Sequence, residues 1–297
     1  MSVMRLQTTL ARTVSVAGVG LHSGHAVRAT LRPAPAGRGV VFVRTDVGVS
    51  IPAVAEEAGR LDFATSLGER GRDIGTVEHL LSAAVGLGLD NLTVEVDGPE
   101  VPILDGSSAP WVAEILAAGL VSLGSSARPF AVRKTITVHG PGGKWIEIRP
   151  AKELRVSYSI DFPHPAVGKQ SISLVLTPET YAEHLAPART FGFLAEYDYL
   201  RAKGLAQGAS EENCIVVGDD TVLNGSLRFA DGFVRHKVLD LVGDLALVGR
   251  PVVGHVVAHR AGHALHAALA KEIRQAAASE YLRRSGPALE PLALTGR

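Results

Sequence analysis

The stretches Val77-Glu78-His79-Leu80 and Val234-Arg235-His236-Lys237 place a histidine third in two similar segments, one in each half of the chain. In both halves the segment lies in an apolar pattern of helical spacing, which follows several β-branched runs and precedes a strand and a further helix. This repeated order predicts an internal duplication. Because strands come in runs rather than alternating strictly with helices, it predicts the α+β class, with mainly antiparallel sheets covered by helices.

The duplication predicts two domains, residues 1–125 and 129–297. The boundary lies at 122–128, where Ser, Gly and Ala give a composition typical of a linker. Residues from about 193 to 217 have no counterpart in the first half and are predicted to be an insertion. The predicted strands are 8–16, 27–31, 40–45, 92–96, 131–138, 144–148, 154–160 and 252–258, and the predicted helices are 76–87, 107–118, 233–248 and 262–281.

Composition limits the possible classes of function. The 297 residues are 46% hydrophobic and 20% charged, which predicts a globular protein with a buried core. Thirty Lys and Arg balance thirty Asp and Glu, which argues against a broad surface for nucleic acid or an anionic membrane. Cys214 is the single cysteine, so an internal disulfide and a thiolate-rich zinc site are excluded. Any metal must therefore be held by His, Asp or Glu.

The distribution of charged residues argues against a membrane span and a secretory signal. Glu114 interrupts the apolar run 111–123, and no run approaches the ~18 uninterrupted apolar residues of a membrane helix. Arg5 and Arg12 lie inside the only window that could form a signal core. A single cysteine also fits a reducing compartment. We therefore expect a cytoplasmic protein, and a monomer.

One histidine and one aspartate on the predicted helix 233–248 could bind the same ion. His236 and Asp240 are four residues apart and share a helix face, and Asp244 extends the same row. The same spacing is also typical of an ordinary solvated helix face. The duplication makes His79 the counterpart of His236, so two facing helices would supply three ligands and leave a fourth position open. That arrangement is typical of a hydrolytic zinc site.

Two further side chains are candidates for proton transfer. Glu78 directly precedes His79, so an ion bound there would bring its carboxylate close to an attacking water. The alternative is a surface glutamate favoured in a first helical turn by the helix dipole. His263 lies where a strand leads into a helix and could protonate a leaving amine, or could only make a local hydrogen bond.

Six short motifs occur in order along the chain, and with them the sequence resembles a known family. The motifs are Gly18-Val-Gly-Leu-His-Ser-Gly24, Thr76-Val-Glu-His-Leu80, Pro102-Ile-Leu-Asp-Gly-Ser107, Ala188-Arg-Thr-Phe-Gly-Phe193, His236-Lys-Val-Leu-Asp-Leu-Val-Gly-Asp244 and Gly262-His-Ala-Leu265. The family is the zinc-dependent UDP-3-O-acyl-N-acetylglucosamine deacetylases of lipid A biosynthesis. No single motif is decisive, but their joint order makes coincidence improbable.

The resemblance implies a zinc cofactor and a role for each matching residue. The implied roles are metal ligand for His79, His236 and Asp240, general base for Glu78, general acid or cationic stabiliser for His263, the carboxylate that orients it for Asp244, contact with the oxyanion for Thr190, and contact with the nucleotide phosphates or the substrate carbonyl for Lys237. It also implies two similar α+β domains packed through their helices, with the active site at their interface.

The resemblance further implies that the insertion is a β-α-β element that forms a tunnel for an acyl chain. The expected substrate contacts are Phe191, Phe193, Leu200, Arg260 and Lys144. Apolar residues in this segment could equally serve only to pack the insertion onto its domain. Arg260 stands where many members of the family have lysine. The compact ammonium group is thereby replaced by a planar guanidinium that can donate two hydrogen bonds side by side. Many members have a cysteine in the segment that is 64–67 here, where this chain has Thr65 and Ser66.

The expected reaction is hydrolysis of the acetamide of UDP-3-O-acyl-N-acetylglucosamine to the free amine and acetate. One alternative is a zinc amidohydrolase for another N-acylated sugar, which would need the metal site but not the apolar insertion. Another is a noncatalytic binding protein on the same scaffold. The complete set of candidate ligands and proton-transfer groups argues against that alternative.

Overall fold

The structure, a computed structural model, describes residues 5–225 and 227–285 and confirms the predicted α+β class. The first half contains β1 (Leu6–Leu10), β2 (Val14–Val19), β3 (Ala26–Pro33), β4 (Val40–Arg44), β5 (Val49–Pro52), α1 (Glu78–Gly86), β6 (Leu92–Val96), α2 (Ala109–Ala118) and β7 (Leu120–Ser126). The second contains β8 (Phe130–Ala131), β9 (Ile136–His139), β10 (Trp145–Arg149), β11 (Leu154–Asp161), β12 (Lys169–Val175), α3 (Pro178–His184), β13 (Phe191–Phe193), α4 (Tyr197–Ala202), β14 (Ile215–Val217), α5 (Gly232–Leu245), β15 (Val252–His259) and α6 (His263–Ser285).

Each half contains one large sheet, and the two sheets share their strand order and directions. The first has the order β2-β3-β6-β4-β5, in which only β4 and β6 are parallel. The second has the order β9-β10-β15-β11-β12, in which β11 and β15 are the one parallel pair; the short strand β8 adds a second parallel pairing with β15. In both sheets the strand after the first long helix lies third. This repeat supports the predicted duplication, while the domain limits stay a prediction.

Several predicted elements end elsewhere than expected. The predicted strand 8–16 is two strands, because the chain leaves the β1–β7 pair at Ala11, whose N–H donates to Gly119 O (2.8 Å), before it joins the first sheet. The predicted strand 131–138 is likewise divided between β8 and β9. Residues 122–126 of the predicted linker belong to β7, because their backbone pairs with β1. Strands β5 and β12 and helix α3 were not predicted.

Helices α1 and α5 pack against each other, α5 also packs against β11 and β12 of the second sheet, and the α1–α5 contact positions the candidate site. Gly243 on α5 lies so close to α1 that a Cβ there would collide with Glu78 O. Ser82 Oγ on α1 donates to Leu239 O on α5 (2.8 Å). Two helices that each carry candidate ligands therefore face one another at close range, as the duplication predicts.

The segment around the predicted insertion forms a β-α-β unit. Strands β13 and β14 are parallel, with Phe191 opposite Ile215, and α4 lies between them in the chain. The unit begins two residues before the predicted position, because Phe191 already pairs with Ile215. None of the helices in the described part of the chain is both long and apolar enough to cross a membrane.

Candidate active site and metal centre

A cavity of about 820 Å³ lies between α1, α5, the start of α6 and the β-α-β unit. Its size is typical of a small-molecule site. The predicted site residues that line it are Glu78, His79, Lys144, Thr190, Phe191, Phe193, Leu200, His236, Lys237, Asp240 and His263. Asp244 lies behind the cavity wall and bonds to His263. Arg260 is not among the lining residues, and its guanidinium donates to Gly142 O (3.3 Å).

His79, His236 and Asp240 bring their ligand atoms together at the α1–α5 contact. Asp240 Oδ1 lies 3.2 Å from His236 Nε2 and 3.9 Å from His79 Nε2, and all three side chains are buried. His236 Nδ1 donates to Ala188 O (3.1 Å), so the lone pair on Nε2 is directed toward the other two side chains. The three therefore form a candidate metal site.

The protonation states of these groups suit a bound cation. Burial lowers the pKa of His79 to about 3 and also lowers the pKa of His236, so both rings are neutral. Burial alone would raise the pKa of Asp240, but the Lys237 ammonium and the His263 cation outweigh it and hold that carboxylate ionised. Asp240 Oδ1 is buried and has no hydrogen-bond partner in the described structure. A bound cation would satisfy this oxygen by coordinating it. Two neutral imidazoles and a carboxylate fit a divalent metal such as zinc.

Removing one of these ligands is expected to weaken metal binding while the fold remains. We predict that His236→Ala and Asp240→Ala each lower metal affinity more than the ~10–100-fold typical for residues that only orient a ligand. Bound metal per chain, measured after dialysis against graded chelator, checks this. His255→Ala is the matched control because His255 bonds to Ser157, away from the cavity. Wild-type metal retention in Asp240→Ala would contradict the assignment.

Glu78 is buried beside the candidate metal site. Its Oε2 accepts a hydrogen bond from Thr65 N (3.1 Å), which orients the carboxylate. Burial raises the pKa of Glu78 to about 8; His263 opposes this shift, and Asp244 and Asp240 add to it. A carboxylate with a raised pKa next to a metal site is suited to accept a proton near neutral pH.

His263 forms a buried pair with Asp244 on the other side of the cavity. Its Nδ1 donates to Asp244 Oδ2 (2.9 Å), while Thr65 Oγ1 donates to Asp244 Oδ1 (2.6 Å). Burial alone would lower the pKa of His263, but Asp244, Asp240 and Glu78 raise it to about 9. The ring is therefore held as a cation whose Nδ1 is committed to Asp244, which leaves Nε2 as its second N–H.

His266 also bonds to Asp244, a contact that the sequence analysis missed. Its Nδ1 donates to Asp244 Oδ2 (2.9 Å), and its Nε2 lies 3.0 Å from the Tyr158 hydroxyl, which donates to Ala261 O (2.8 Å). His266 and His263 are three apart on α6 and so share a helix face, a spacing that could have indicated the contact.

Lys237 and Thr190 flank the candidate ligands. Lys237 Nζ donates to Asp240 Oδ2 (2.9 Å). Burial alone would lower the pKa of Lys237, but Asp240 raises it, so the ammonium remains charged. Thr190 is fixed by its backbone, since its N–H donates to Gly106 O (2.7 Å) and its carbonyl accepts from Ile215 N (2.8 Å).

The far side of the cavity is apolar. The rings of Phe162, Phe191 and Phe193 pack together with centroid distances of 5.6 to 6.1 Å. Phe191 also lies edge-on to His236, at 6.4 Å between centroids, so this aromatic cluster begins directly beside a candidate metal ligand. Leu200 on α4 adds a further apolar side chain to the cavity lining. One cavity therefore joins a polar, metal-binding end to an apolar one.

The comparisons with known proteins agree with this geometry. The family model described as "LpxC: UDP-3-O-acyl N-acetylglycosamine deacetylase" matches residues 7–275. A protein of Myxococcus xanthus (strain DK1622) named UDP-3-O-acyl-N-acetylglucosamine deacetylase is 49% identical over 270 residues, which cover 90% of this chain and 86% of that protein. Proteins of the same name from Solibacter usitatus (strain Ellin6076) and Thermosynechococcus vestitus (strain NIES-2133 / IAM M-273 / BP-1) are 48% and 46% identical. These matches cover 91% and 92% of this chain, and 92% and 95% of the relatives. The chain therefore belongs to the UDP-3-O-acyl N-acetylglycosamine deacetylase family.

Proposed function

We propose that the chain hydrolyses the acetamide of UDP-3-O-acyl-N-acetylglucosamine to acetate and the free amine, a step of lipid A biosynthesis. The observation that carries this proposal is the single cavity that joins His79, His236 and Asp240 to Glu78 at one end and to an apolar wall at the other. The names of the relatives, which match over most of their length, support the same substrate.

We propose zinc as the metal, held by His79, His236 and Asp240, because two imidazoles and a carboxylate with one position left open suit a catalytic zinc ion. When bound, zinc would polarise the acetamide carbonyl and lower the pKa of a water molecule to roughly 7. Lys237 neutralises part of the charge of Asp240 and presents an ammonium to the cavity, where it can bind the substrate's carbonyl or phosphate oxygens.

The protein side chains supply proton transfer and charge stabilisation. Glu78 takes a proton from the attacking water as the water oxygen bonds to the carbonyl carbon, and Thr65 N keeps the carboxylate in place. Thr190 lines the cavity, and we assign its hydroxyl as a donor to the oxyanion that forms when the carbonyl π bond breaks. The carbonyl π bond then re-forms from the oxyanion as the C–N bond breaks, and the nitrogen takes a proton from the His263 imidazolium or from the protonated Glu78 to leave as the free amine.

These proton-transfer roles predict a bell-shaped dependence of kcat on pH. Activity falls at low pH as Glu78 becomes protonated; the acid limb lies below the pKa of about 8 of the buried carboxylate, because a bound cation lowers that pKa. Activity falls at high pH as His263 loses its proton; the alkaline limb lies below the pKa of about 9 of the metal-free imidazolium, because the same cation lowers that pKa as well. Stopped assays of kcat across pH check both limbs. Glu78 and His263 interact, so the limbs report the pair.

The assignment of the alkaline limb to His263 is tested by substitution. We expect His263→Gln to lower kcat by about 10²-fold and to flatten the alkaline limb, since general acids contribute ~10²–10⁴-fold. His255→Gln should keep both limbs because that side chain lies outside the cavity. An unchanged alkaline limb in His263→Gln would assign the titrating acid to another group.

The proposed function as a whole is tested by acetate release from the acylated sugar nucleotide. We expect release by the purified protein, its loss after metal removal, and its return when zinc is added back. Failure of every divalent metal to restore release would remove the proposal. We also propose the cytoplasm as the location, which the single Cys214 supports because it fits a reducing compartment; the monomeric state stays a prediction.

A further inference from the structure

Glu100 is a buried carboxylate that the mechanism does not use. It is 3% exposed, and three donors reach its two oxygens. The backbone N–H of His22 donates at 2.9 Å to Oε1, the N–H of Ser23 at 2.7 Å to Oε2, and the Thr76 hydroxyl at 2.6 Å to Oε1. A buried carboxylate is costly unless it is hydrogen-bonded in this way, so its contacts indicate a specific role.

The donors to Glu100 include the backbone of residues 20–25, which we call the 20–25 loop. Gly20 N donates to His25 O (2.9 Å) and Gly24 N donates to Gly20 O (3.0 Å), which closes the loop on itself. A Cβ at Gly20 would collide with the Glu100 carboxylate, so the loop is wrapped tightly around it. The carboxylate therefore determines where this loop lies.

The outer side of the 20–25 loop binds the β-α-β unit. Gln207 N donates to His22 O (3.1 Å) and Gly208 N donates to Leu21 O (3.0 Å). The His22 ring adds a third bond, since Nδ1 accepts from Ala206 N (3.3 Å). These bonds join segments that are more than 180 residues apart in the chain.

Both sides of this junction line the cavity. Leu21 and His22 contribute from the loop, and Ala206 and Ala209 from the segment after α4. Leu200, the buried apolar residue of α4, also lines the cavity and is joined to this segment, since Leu205 N donates to Leu200 O (2.9 Å) directly before Ala206. The position of the wall where an acyl chain would pack thus depends on a junction that Glu100 holds from behind.

We infer that Glu100 is a positioning residue for acyl recognition, which holds the 20–25 loop against residues 206–208 and so fixes one wall of the acyl channel. The inference rests on the proposed function. Glu100 acts through the loop and touches no reacting atom. Its loss therefore weakens the selection of acylated substrate while the metal site and the proton-transfer groups remain.

The first test replaces Glu100 with glutamine, which keeps the shape but turns one acceptor oxygen into an NH₂ that faces a donor. We expect kcat/KM for UDP-3-O-acyl-N-acetylglucosamine to fall at least about tenfold, mainly through KM, while kcat/KM for UDP-N-acetylglucosamine stays within about twofold. Bound metal per chain should equal that of the wild type. A purely structural defect would lower kcat/KM for both substrates by a similar factor.

A second variant reaches the junction from the other side and leaves Glu100 intact. A Cβ at Gly208 would collide with Gly20 O and press on Gly24 Cα, so Gly208→Ala should separate the loop from the β-α-β unit. We expect the same selective loss. Gly232→Ala is the matched control, because a Cβ there meets open space. In Glu100→Gln, hydrogen exchange at the Gln207 and Gly208 amides should accelerate. In Gly208→Ala, where residue 208 is itself replaced, exchange at the Gln207 amide should accelerate.

The outcomes separate this inference from the proposed function. A wild-type protein that releases no acetate, or that shows no preference for the acylated substrate, overturns the proposed function and with it the acyl role. The role of Glu100 is overturned, and the proposed function kept, if the wild type shows that preference and the variants do not lose it selectively. The variants would then either keep the preference or lose kcat/KM for both substrates equally. Selective loss in both variants with faster exchange at the junction supports it.

Discussion

Glu78→Gln is expected to lower kcat by ~10²–10⁴-fold while the protein keeps its metal, because general-base catalysis contributes about that much. The glutamine can still accept the hydrogen bond that Thr65 N gives to Glu78, so the fold at this point is retained. What is lost is the ability to take a proton from water. Steady-state kcat and bound metal per chain, measured on the same sample, separate the two effects.

The control for Glu78→Gln is the same substitution at Glu179, an exposed residue in the first turn of α3. It should leave kcat unchanged. Normal kcat in Glu78→Gln would remove this residue from the base role. Loss of metal together with activity would instead assign Glu78 to the support of His79, its neighbour in the chain.

The second large effect is a preference for acylated substrate of about two to three orders of magnitude in kcat/KM. Each buried methylene contributes ~0.8 kcal/mol, so a chain of about ten carbons offers ~8 kcal/mol before ordering costs are subtracted. If about 3 to 4 kcal/mol survive, the preference is about 10²–10³-fold, since 1.4 kcal/mol is tenfold. The comparison is between UDP-3-O-acyl-N-acetylglucosamine and UDP-N-acetylglucosamine. Part of the gain should be seen in kcat, because a remote group can help to orient the reacting one.

Leu200→Glu tests the same preference from the protein side. Leu200 lies buried on the cavity wall, so a carboxylate there would meet the acyl chain and should remove most of the preference without loss of metal. Tyr199→Glu is the control on the same helix, since Tyr199 is 59% exposed and does not line the cavity. Equal kcat/KM for the two substrates in the wild type would contradict an acyl channel and favour an amidohydrolase for another sugar.

Local periodicity accounts for the parts of the structure that were predicted. Strand β6 was predicted with its observed limits, and helices α1, α2 and α5 within a few residues, because alternating and helical apolar patterns reflect the neighbours of each residue in its own element. The pairing of His236 with Asp240 follows from the same helical geometry. His79 needed the duplication in addition, since nothing in its own segment connects it to α5.

Contacts between segments that are far apart in the chain produce no such periodic pattern in the sequence. Thr65 was noted only as a departure from a family pattern, yet its backbone bonds to Glu78 and its hydroxyl to Asp244. His22 and His266 were assigned no chemistry, although His22 lines the cavity and His266 bonds to Asp244. Residues 122–126 have the composition of a linker but belong to β7 for the same reason, because their pairing partner β1 lies at the opposite end of the first half of the chain.

The sequence by itself determined the α+β class, the duplicated order of elements and the residue types able to bind a metal and move protons, because these depend on spacing of a few residues and on side-chain chemistry. Only the tertiary structure decided which of those groups share a cavity, that burial raises the pKa of Glu78 while neighbouring carboxylates raise that of His263, and that Arg260 bonds to Gly142 O rather than lining the cavity. Burial and proximity arise when segments far apart in the chain pack together, and no local pattern records that packing.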